Sequence, residues 1–558
     1  MGYAPFYYNI GDYDKLSNVY TLSWLNSQPG AATEYLTYNN DPRTSSLSTY
    51  VFFQGVLDYS RRFGNHNISS SLIGTQQQTL YGNAGTLFNS LPYRNLTVAG
   101  RATYSYKSRY FLEFNFGYNG TERFSSNHRY GFFPTIGGSW IVSEEKFWGS
   151  KLYDIVTRLK LRASYGTVGN DQIGNQRFYY LSDVNLNGGN PATFGTNNVY
   201  TRNGVVINNY ANTDITWETS RQLNLGIEAT FFKNLNIVAE FYKYNRYNIL
   251  QGRTAIPSTV GLESGVSANF GTAKSKGIDL QADYKQTFGK NLWLQGRGNF
   301  TLASSKYDKY EEPQYNETYR YQSGQYINRN YGYIAERLFV DDVEAKNSPS
   351  QIFSSNGVAP QGGDIKYRDL NGDGKIDGAD QTFIGFPTIP RIVYGYGLSG
   401  GYKNFDLSAF FQGQAQVSFF IDPSRTSPFI QSPDAAYASG NTQLLKAFAD
   451  DHWSEENQNL YAQYPRLGVN GAQIENNRQN STWWMRDGSF MRLKSLEIGY
   501  TLPQRIAQKM KMTKCRIYFN GLNLYTWSPF KLWDPEIGGN GFAYPIQKVF
   551  NVGLNVNL

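Results

Sequence analysis

The stretch RQLNLGIEATFF, residues 221–232, alternates apolar and polar or small side chains with a period of two. Its apolar positions are Leu223, Leu225, Ile227, Ala229 and Phe231. Successive side chains of a β-strand point to opposite faces, so this pattern predicts a strand with one apolar and one polar face. The same alternation recurs at 110–116, 159–164, 278–284 and 550–558. We therefore predict an all-β chain.

The predicted strands are joined by connections of very different length. The pattern predicts sixteen strands, near 17–26, 47–60, 66–80, 97–106, 110–122, 131–142, 157–170, 219–231, 234–247, 276–286, 292–305, 391–402, 405–415, 488–500, 515–526 and 546–558. Short turns are expected at 106–110, 231–236, 287–292 and 401–406, and long connections at about 171–218, 306–390 and 416–487. Short turns at one rim and long loops at the other are typical of an outer-membrane barrel, whose closed ring of strands satisfies its backbone polar groups in lipid. The sequence thus predicts a transmembrane antiparallel up-and-down β-barrel.

The composition of the 558-residue chain argues against several other classes of protein. Aromatic residues reach 16%, charged residues are only 17%, and mean hydropathy is −0.52. No apolar run approaches the roughly 20 residues that a spanning helix needs. The net charge of +8 is spread thinly along the chain, which disfavours nucleic-acid binding. The start, MGYAPFYYNIGDYDKLSNVY, lacks the basic and apolar regions of a secretory signal peptide.

The sequence gives little support for an enzyme. It contains three scattered histidines, His66, His128 and His452, and one cysteine, Cys515. GYGLSG at 395–400 satisfies G-x-G-x-x-G, but a turn into another strand is predicted after it, where a dinucleotide site requires a helix. We therefore predict no catalytic residues.

An acidic loop, YRDLNGDGKIDGADQT at 367–382, has the spacing of a twelve-residue calcium loop. Its predicted oxygen ligands are Asp369, Asn371, Asp373, the Lys375 carbonyl, Asp377 and Asp380. Gly374 stands at the turn position, whereas Asp380 replaces the usual longer glutamate. All of these ligands are oxygens, which suits Ca²⁺. We predict a structural Ca²⁺ in an extracellular loop over 364–382; the alternative is a solvated turn whose Asp-Gly and Asn-Gly pairs supply a permissive backbone.

Aromatic residues in the long connections are candidates for substrate contact, since flat rings stack against sugar faces. They are Trp453, Tyr461, Tyr464, Trp483, Trp484, Trp527 and Trp533. Loops above a barrel also pack on themselves, so these residues could equally form loop cores or bind a partner protein.

Seven stretches, in order from about residue 98 to 558, carry a resemblance to one family. They are YSYKSRYFLEFNFGYNGTERF, with GFFPTIGGSWIVSEEKFW; LKLRASYGTVGN; ANFGTAKSKGIDL; GDIKYRDLNGDGKIDGADQTFIGFPTIP; RDGSFMRLKSLEIGYTLP; and NGLNLYTWSPFKLWDPE. In these the chain resembles the SusC/RagA-type TonB-linked outer-membrane transporters of the Bacteroidota. The acidic loop is itself part of that family's pattern.

The resemblance implies a 22-stranded, plugged barrel that imports oligosaccharides or peptides. It also implies two partners, a SusD-like surface lipoprotein as a lid and the TonB complex as the energy source. Residues 1–558 are then expected to be the last part of such a barrel, without the signal peptide, TonB-interacting segment, plug and about six strands. Two alternatives remain: a plugless porin, closed by pairing 17–26 with 546–558, or an inactive fragment of a split or truncated gene.

Overall fold

The computed structural model describes most of the chain. The described residues are 2–5, 8–14, 17, 19–24, 34–37 and 47–557, the last range without 83, 85, 175, 355–356, 429–443 and 469–470.

Fifteen antiparallel strands form one sheet in which every strand lies beside its neighbours in sequence. They are β1 (Leu47–Phe63), β2 (His66–Gly82), β3 (Tyr93–Tyr106), β4 (Tyr110–Thr121), β5 (Tyr130–Ile141), β6 (Val156–Asn170), β7 (Glu218–Phe231), β8 (Leu235–Gly252), β9 (Ser267–Phe288), β10 (Leu292–Lys309), β11 (Ile392–Tyr402), β12 (Phe405–Ala415), β13 (Phe490–Thr501), β14 (Lys514–Trp527) and β15 (Val549–Asn557). This up-and-down order confirms the predicted all-β meander.

The first predicted strand, 17–26, does not belong to this sheet. The structure has a strand at Val19–Trp24, paired with Tyr8–Asp14 in a separate two-stranded sheet. The prediction of sixteen strands in one sheet is therefore corrected to fifteen among the described residues. A partner only a few residues away costs little loop-closure entropy, which favours this local hairpin.

The connections are as uneven as the sequence predicted. At one end of the sheet they cover 64–65, 107–109, 142–155, 232–234, 289–291, 403–404 and 502–513. At the other end they cover 83–92, 122–129, 171–217, 253–266, 310–391, 416–489 and 528–548. The short turns use left-handed backbone, as at Lys107 and Ser108, with φ values of 51° and 53°, because such turns match the twist of the paired strands.

The remaining regular structure is short. Strand pairs outside the large sheet are Gly2–Pro5 with Glu34–Thr37, Asp183–Phe194 with Tyr200–Asn209, Arg329–Gly332 with Thr382–Pro387, Ala335–Leu338 with Ile365–Tyr367, and Ser418–Phe420 with Met485–Asp487. The α-helices are Leu87–Ser90, Gly149–Ile155, Asp342–Lys346, Pro423–Thr426, Lys446–Asp450 and Gln504–Lys509. The 3₁₀ turns are Val142–Glu144, Lys146–Trp148, Ser258–Val260, Thr318–Arg320, Gly378–Asp380 and Pro535–Ile537. In the described ranges, no helix is both long enough and apolar enough to cross a membrane.

The two faces of the sheet differ in chemistry. On β7, the apolar side chains of Leu225 and Ile227 are 44% and 49% exposed. The alternate residues Asn224 and Glu228 point to the other face and bond to neighbouring strands. Large apolar side chains left uncovered along a sheet are suited to contact with lipid.

Most of the buried core lies in the long connections. The main cluster comprises Tyr333, Leu338, Ile365, Tyr367, Ile376, Ile421, Phe448, Trp453, Ala462, Tyr464, Trp484 and Phe530. These residues come from 310–391, 416–489 and 528–548, and we call the described residues of these three connections the loop domain. A smaller cluster joins 122–129 to 171–217 around Phe124 and Trp217.

Candidate substrate and metal sites

The polar face of the sheet carries a ladder of ion pairs. Glu228 of β7 accepts from both Lys160, at 3.3 Å, and Arg162, at 3.1 Å, of β6, and Arg162 also pairs with Glu240 of β8. Arg101 and Glu113 form a similar pair between β3 and β4, at 2.9 Å. Charges that are paired across strands make this face wettable, as the interior of an outer-membrane barrel requires.

A cavity of about 570 Å³ lies on this polar face, where the ends of β7–β10 meet the loop domain. Its wall includes Gln222, Tyr244, Arg246 and Tyr307 from the strands, and Arg391 closes it from the connection that precedes β11. Amide, hydroxyl and guanidinium groups beside tyrosine rings can hydrogen-bond to and stack on a polar solute. Sequence analysis missed this site because its residues are far apart in sequence. The sequence signal that could have indicated this site is the series of polar residues on the polar face of adjacent strands, at the strand ends next to the long connections.

A buried polar network holds the loop domain together. Arg466 donates to both carboxylate oxygens of Asp364, at 3.0 Å each, and Asn477 donates to Oδ1 at 2.8 Å. The side chain of Gln351 bridges the backbone of Ile365 and Tyr367. Satisfied buried networks of this kind fix one arrangement of the connections they join.

The acidic loop is folded around its own side chains. Asp369 accepts from the backbone N–H groups of Gly372, at 2.6 Å, and Gly374, at 2.9 Å. Both glycines have left-handed backbone, with φ values of 76° and 81°. Asn371 accepts from the Asp373 N–H at 3.1 Å, and Asp373 accepts from the Lys375 N–H at 2.9 Å.

The end of the acidic loop is closed by a buried aspartate. Asp380 is completely buried and accepts from the N–H groups of Leu370, at 2.8 Å, and Asp377, at 2.9 Å. Tyr319 donates to the carbonyl of Ala379 at 2.7 Å, which ties the loop to the 3₁₀ turn Thr318–Arg320 at the start of the same connection. The side chain of Ile376, 1% exposed, packs in the loop-domain core.

The fit to a metal ion is partial. A carboxylate that accepts one or two N–H groups keeps lone pairs for a cation, so the bonded aspartates retain capacity. However, the described residues contain no group of three or more His, Cys, Asp or Glu side chains placed to hold a metal ion. The amide of Asn371 donates to Asp373 at 3.0 Å, so these two candidate ligands contact each other. Calcium at this loop stays a prediction.

The seven predicted substrate aromatics divide into three environments. Trp453, Tyr464 and Trp484 are at most 8% exposed and belong to the loop-domain core, and burial raises the pKa of Tyr464 to about 12. Their rings are covered, so they pack in a loop core and do not offer a stacking face to solvent. Trp483 and Trp533 pack against the same core.

Two of the candidate rings are accessible. Tyr461 is 69% exposed on the loop domain, and Trp527 is 42% exposed at the outer end of β14, beside Tyr525 and Phe411. The structure therefore does not bring the seven aromatics together in one binding surface.

A fifteen-stranded antiparallel meander with an apolar face, a charged face and large loops at one end defines a segment of outer-membrane β-barrel wall. By sequence, the chain is similar to TonB-dependent receptor P3 of Formosa agariphila, with 27% identity over 563 residues that cover 91% of this chain and 52% of that protein. It is also similar to the TonB-dependent receptor SusC of Bacteroides thetaiotaomicron, with 23% identity over 86% of this chain and 44% of that protein. No model of a protein family matches the chain.

The fold is similar to that of a solved RagAB peptide importer in its closed-closed state. The TM-score is 0.64 at 20% identity, covering 92% of this chain and 56% of that one. The chain spans about half the length of the curated relatives it matches. It is a relative of the SusC/RagA-type TonB-dependent receptors, and its location is the outer membrane. The relatives are named as receptors and transporters, not as enzymes.

Proposed function

We propose that this chain forms the wall and surface loops of an outer-membrane importer for oligosaccharides or peptides. The observation that carries the proposal is the polar-face cavity, which opens beneath the loop domain among tyrosine, amide and guanidinium groups. A transported solute passing from the loops into the lumen would contact this cavity first. Its size, about 570 Å³, suits a few sugar or amino-acid units at a time.

The names of the similar proteins suggest which partners would assist import. One relative is named SusC and a similar structure is a RagAB peptide importer. We propose that a SusD-like surface lipoprotein covers the loop domain and that the TonB complex supplies energy through a segment outside the described residues. The loop domain, held by its own buried core, presents the stable platform that such a lid requires.

The sheet edges disfavour a self-contained porin. That alternative requires the strand near 17–26 to pair with the one near 546–558, whereas Val19–Trp24 pairs with Tyr8–Asp14. Among the described strands β1 pairs only with β2, and β15 only with β14. Unpaired strand edges are not tolerated in lipid, so we propose that further strands complete the barrel.

Uptake by living cells tests the proposal. Deletion of the gene should abolish growth on one oligosaccharide or peptide as the limiting nutrient, while growth on its monomers continues. Complementation with Ser305→Trp, which fills the cavity from β10, should restore the protein to the outer membrane but not uptake. Ser305→Ala, which leaves the cavity open, is the matched control and should restore both. Normal uptake with Ser305→Trp would rule out this route.

We also propose that the acidic loop binds a structural Ca²⁺. The side chains of Asp369, Asn371, Asp373, Asp377 and Asp380 and the Lys375 carbonyl would hold it, and its charge would stabilise the closely spaced carboxylates. The support is the spacing of the ligands and the left-handed glycines that aim them.

Terbium luminescence tests the metal proposal, with Tyr319 beside the loop as a sensitiser. Wild type should give a calcium-displaceable signal that Asp373→Ala loses. Asp450→Ala, which removes an exposed aspartate elsewhere in the loop domain, should keep the signal. Equal signals from wild type and Asp373→Ala would remove the proposal.

A further inference from the structure

Four lysines lie together on the apolar face of the sheet, toward the end with the long loops. Lys243 of β8 is directly opposite Lys276 of β9, and Lys274 of β9 is directly opposite Lys306 of β10. All four are exposed. We call them the lysine patch.

The patch lies at the boundary of the lipid-facing surface. The adjacent row toward the short turns is apolar, with Phe241, Ile278 and Leu302 side by side on β8, β9 and β10. β8 begins at Leu235, directly after its short turn, and Lys243 lies eight positions farther along the strand. A strand needs about 9–11 residues to cross a bilayer. The lysine patch therefore lies at the headgroup level of the leaflet next to the long loops.

The charges of the patch are largely uncompensated within the protein. Like charges directly opposite each other destabilise a strand pair. Lys274 has an ion pair with Asp308, at 2.6 Å. Across the described ranges, no ion pair is formed by Lys243, Lys276 or Lys306. A bound anion would relieve this repulsion.

A depression beside the patch combines basic and apolar walls. Its volume is about 980 Å³, and its lining includes the lysine patch, Phe241, Ile278, Leu302, Tyr326 and Arg391. The carboxylate of Asp308, the ion-pair partner of Lys274, also lines it. The Tyr326 ring contacts two cations, Lys306 at 4.6 Å and Arg391 at 4.5 Å from its centroid. An apolar floor with a cationic rim fits an amphiphile with a negative headgroup.

We propose that the lysine patch binds the phosphorylated headgroup of an outer-leaflet lipid, whose acyl chains cover Phe241, Ile278 and Leu302. Phosphate oxygens accept charge-assisted hydrogen bonds from several ammonium and guanidinium groups at once. A free phosphate ion would use the basic rim but leave the apolar floor uncovered. The inference rests on the proposed placement of the long loops outside the cell.

Lipid binding by the protein purified from outer membranes in mild detergent tests this site. Native mass spectrometry would follow titration with lipid A that carries phosphate groups, with the same lipid after dephosphorylation, and with inorganic phosphate as a competitor. Wild type should bind the phosphorylated lipid preferentially, and millimolar inorganic phosphate should not displace it.

The matched variants are Lys243→Gln/Lys276→Gln in the patch and Lys509→Gln/Lys511→Gln in the connection at the opposite end of the sheet. The patch variant should bind about 30-fold more weakly, from the loss of two interfacial lysines, whereas the control should bind as wild type. All four lysines are exposed, so both variants should keep the heat-modifiable gel mobility of a folded barrel. Equal binding by both variants, equal binding of the dephosphorylated lipid, or displacement by inorganic phosphate would overturn the proposal.

Protease treatment of intact cells that lack the proposed surface lipoprotein, which would otherwise shield the long connections, separates this proposal from the proposed function. Cleavage in the long connections places them outside the cell, and lipid binding then decides the lysine patch alone. Protection of all long connections would overturn their placement and, with it, both proposals.

Discussion

The barrel wall and the loop domain are stabilised by different kinds of interaction. In the wall every strand pairs with its sequence neighbour, and large side chains such as Leu225 remain exposed to the surroundings. In the loop domain, residues far apart in sequence, such as Ile365 and Trp484, are buried against a common core. The wall depends on backbone ladders and lipid, whereas the loop domain depends on side-chain packing that needs no membrane.

The largest effect is expected from emptying the loop-domain core. Trp484 is 1% exposed, packs on Phe448 and Tyr464, and donates to the carbonyl of Asn477 at 2.6 Å. Trp484→Ala should destabilise the loop domain by about 3–5 kcal/mol, measured as protease sensitivity of the long connections, with unchanged gel mobility of the barrel. Trp527→Ala, at an exposed ring on the wall, is the control. A barrel that unfolds together with the loop domain would contradict their separation.

A charge on the lipid-facing side should break the wall instead. Ile227 lies midway along the apolar positions of β7. Ile227→Lys should cost about 2–4 kcal/mol in the bilayer, seen as a lower urea midpoint for the heat-modifiable band. Thr230→Lys, on the polar face of the same strand, should change the midpoint little. Similar losses from both would mean that the faces are assigned wrongly.

The loop domain should respond to acid through Glu344. A hydrogen bond from Arg337, with further contributions from the Val340 N–H and Lys366, lowers the pKa of Glu344 to about 2 from an ordinary 4.5. Because the folded pKa lies below the unfolded one, this stabilisation is present above about pH 4.5 and is lost as the pH falls toward 2.

Glu344→Gln should therefore lower loop-domain stability by about 1–2 kcal/mol at pH 7, and the difference from wild type should vanish near pH 2. Tryptophan fluorescence during urea unfolding at both pH values measures it. Glu336→Gln, in a more exposed pair with Arg368, should change stability by less than about 0.5 kcal/mol. A loss that persists unchanged at pH 2 would exclude the electrostatic explanation.

The smallest effect on stability is expected at Tyr461, whose side chain is largely exposed. Tyr461→Ala should change the stability of the loop domain by less than about 0.5 kcal/mol. If the Tyr461 ring stacks on the transported solute, the variant should bind substrate more weakly than wild type in a titration with whole cells, although its stability is nearly unchanged. Unchanged affinity would remove Tyr461 from the candidate contacts.

The wall was predictable because its signals are local. Period-two alternation and short turns located fifteen strands, including β7 and the last strand of the sheet. The predicted start of β9 was wrong: the strand begins at Ser267, whereas the sequence pattern placed its start near 276. The pattern failed there because Lys274 and Lys276 occupy outward positions that are apolar farther along the strand.

The loop domain was not predictable in the same way. The acidic loop was recognised from the spacing of its aspartates, but its attachment through Ile376 and Tyr319 depends on contacts between distant segments. Nothing in the local sequence distinguishes the buried Trp484 from its neighbour Trp483 or from the exposed Tyr461. Burial in this region depends on which connections pack against each other, and the pattern of residues within one segment does not predict those contacts.

The long first strand of the sheet has a consequence for handling the protein. All seventeen residues of β1 are exposed, among them Phe52, Phe53 and Leu57, and its outer backbone groups have no partner strand among the described residues. Such an edge is a template for adding strands from another molecule. Chains made in isolation should therefore associate edge to edge into ribbons, and a short peptide that caps β1 should keep them dispersed.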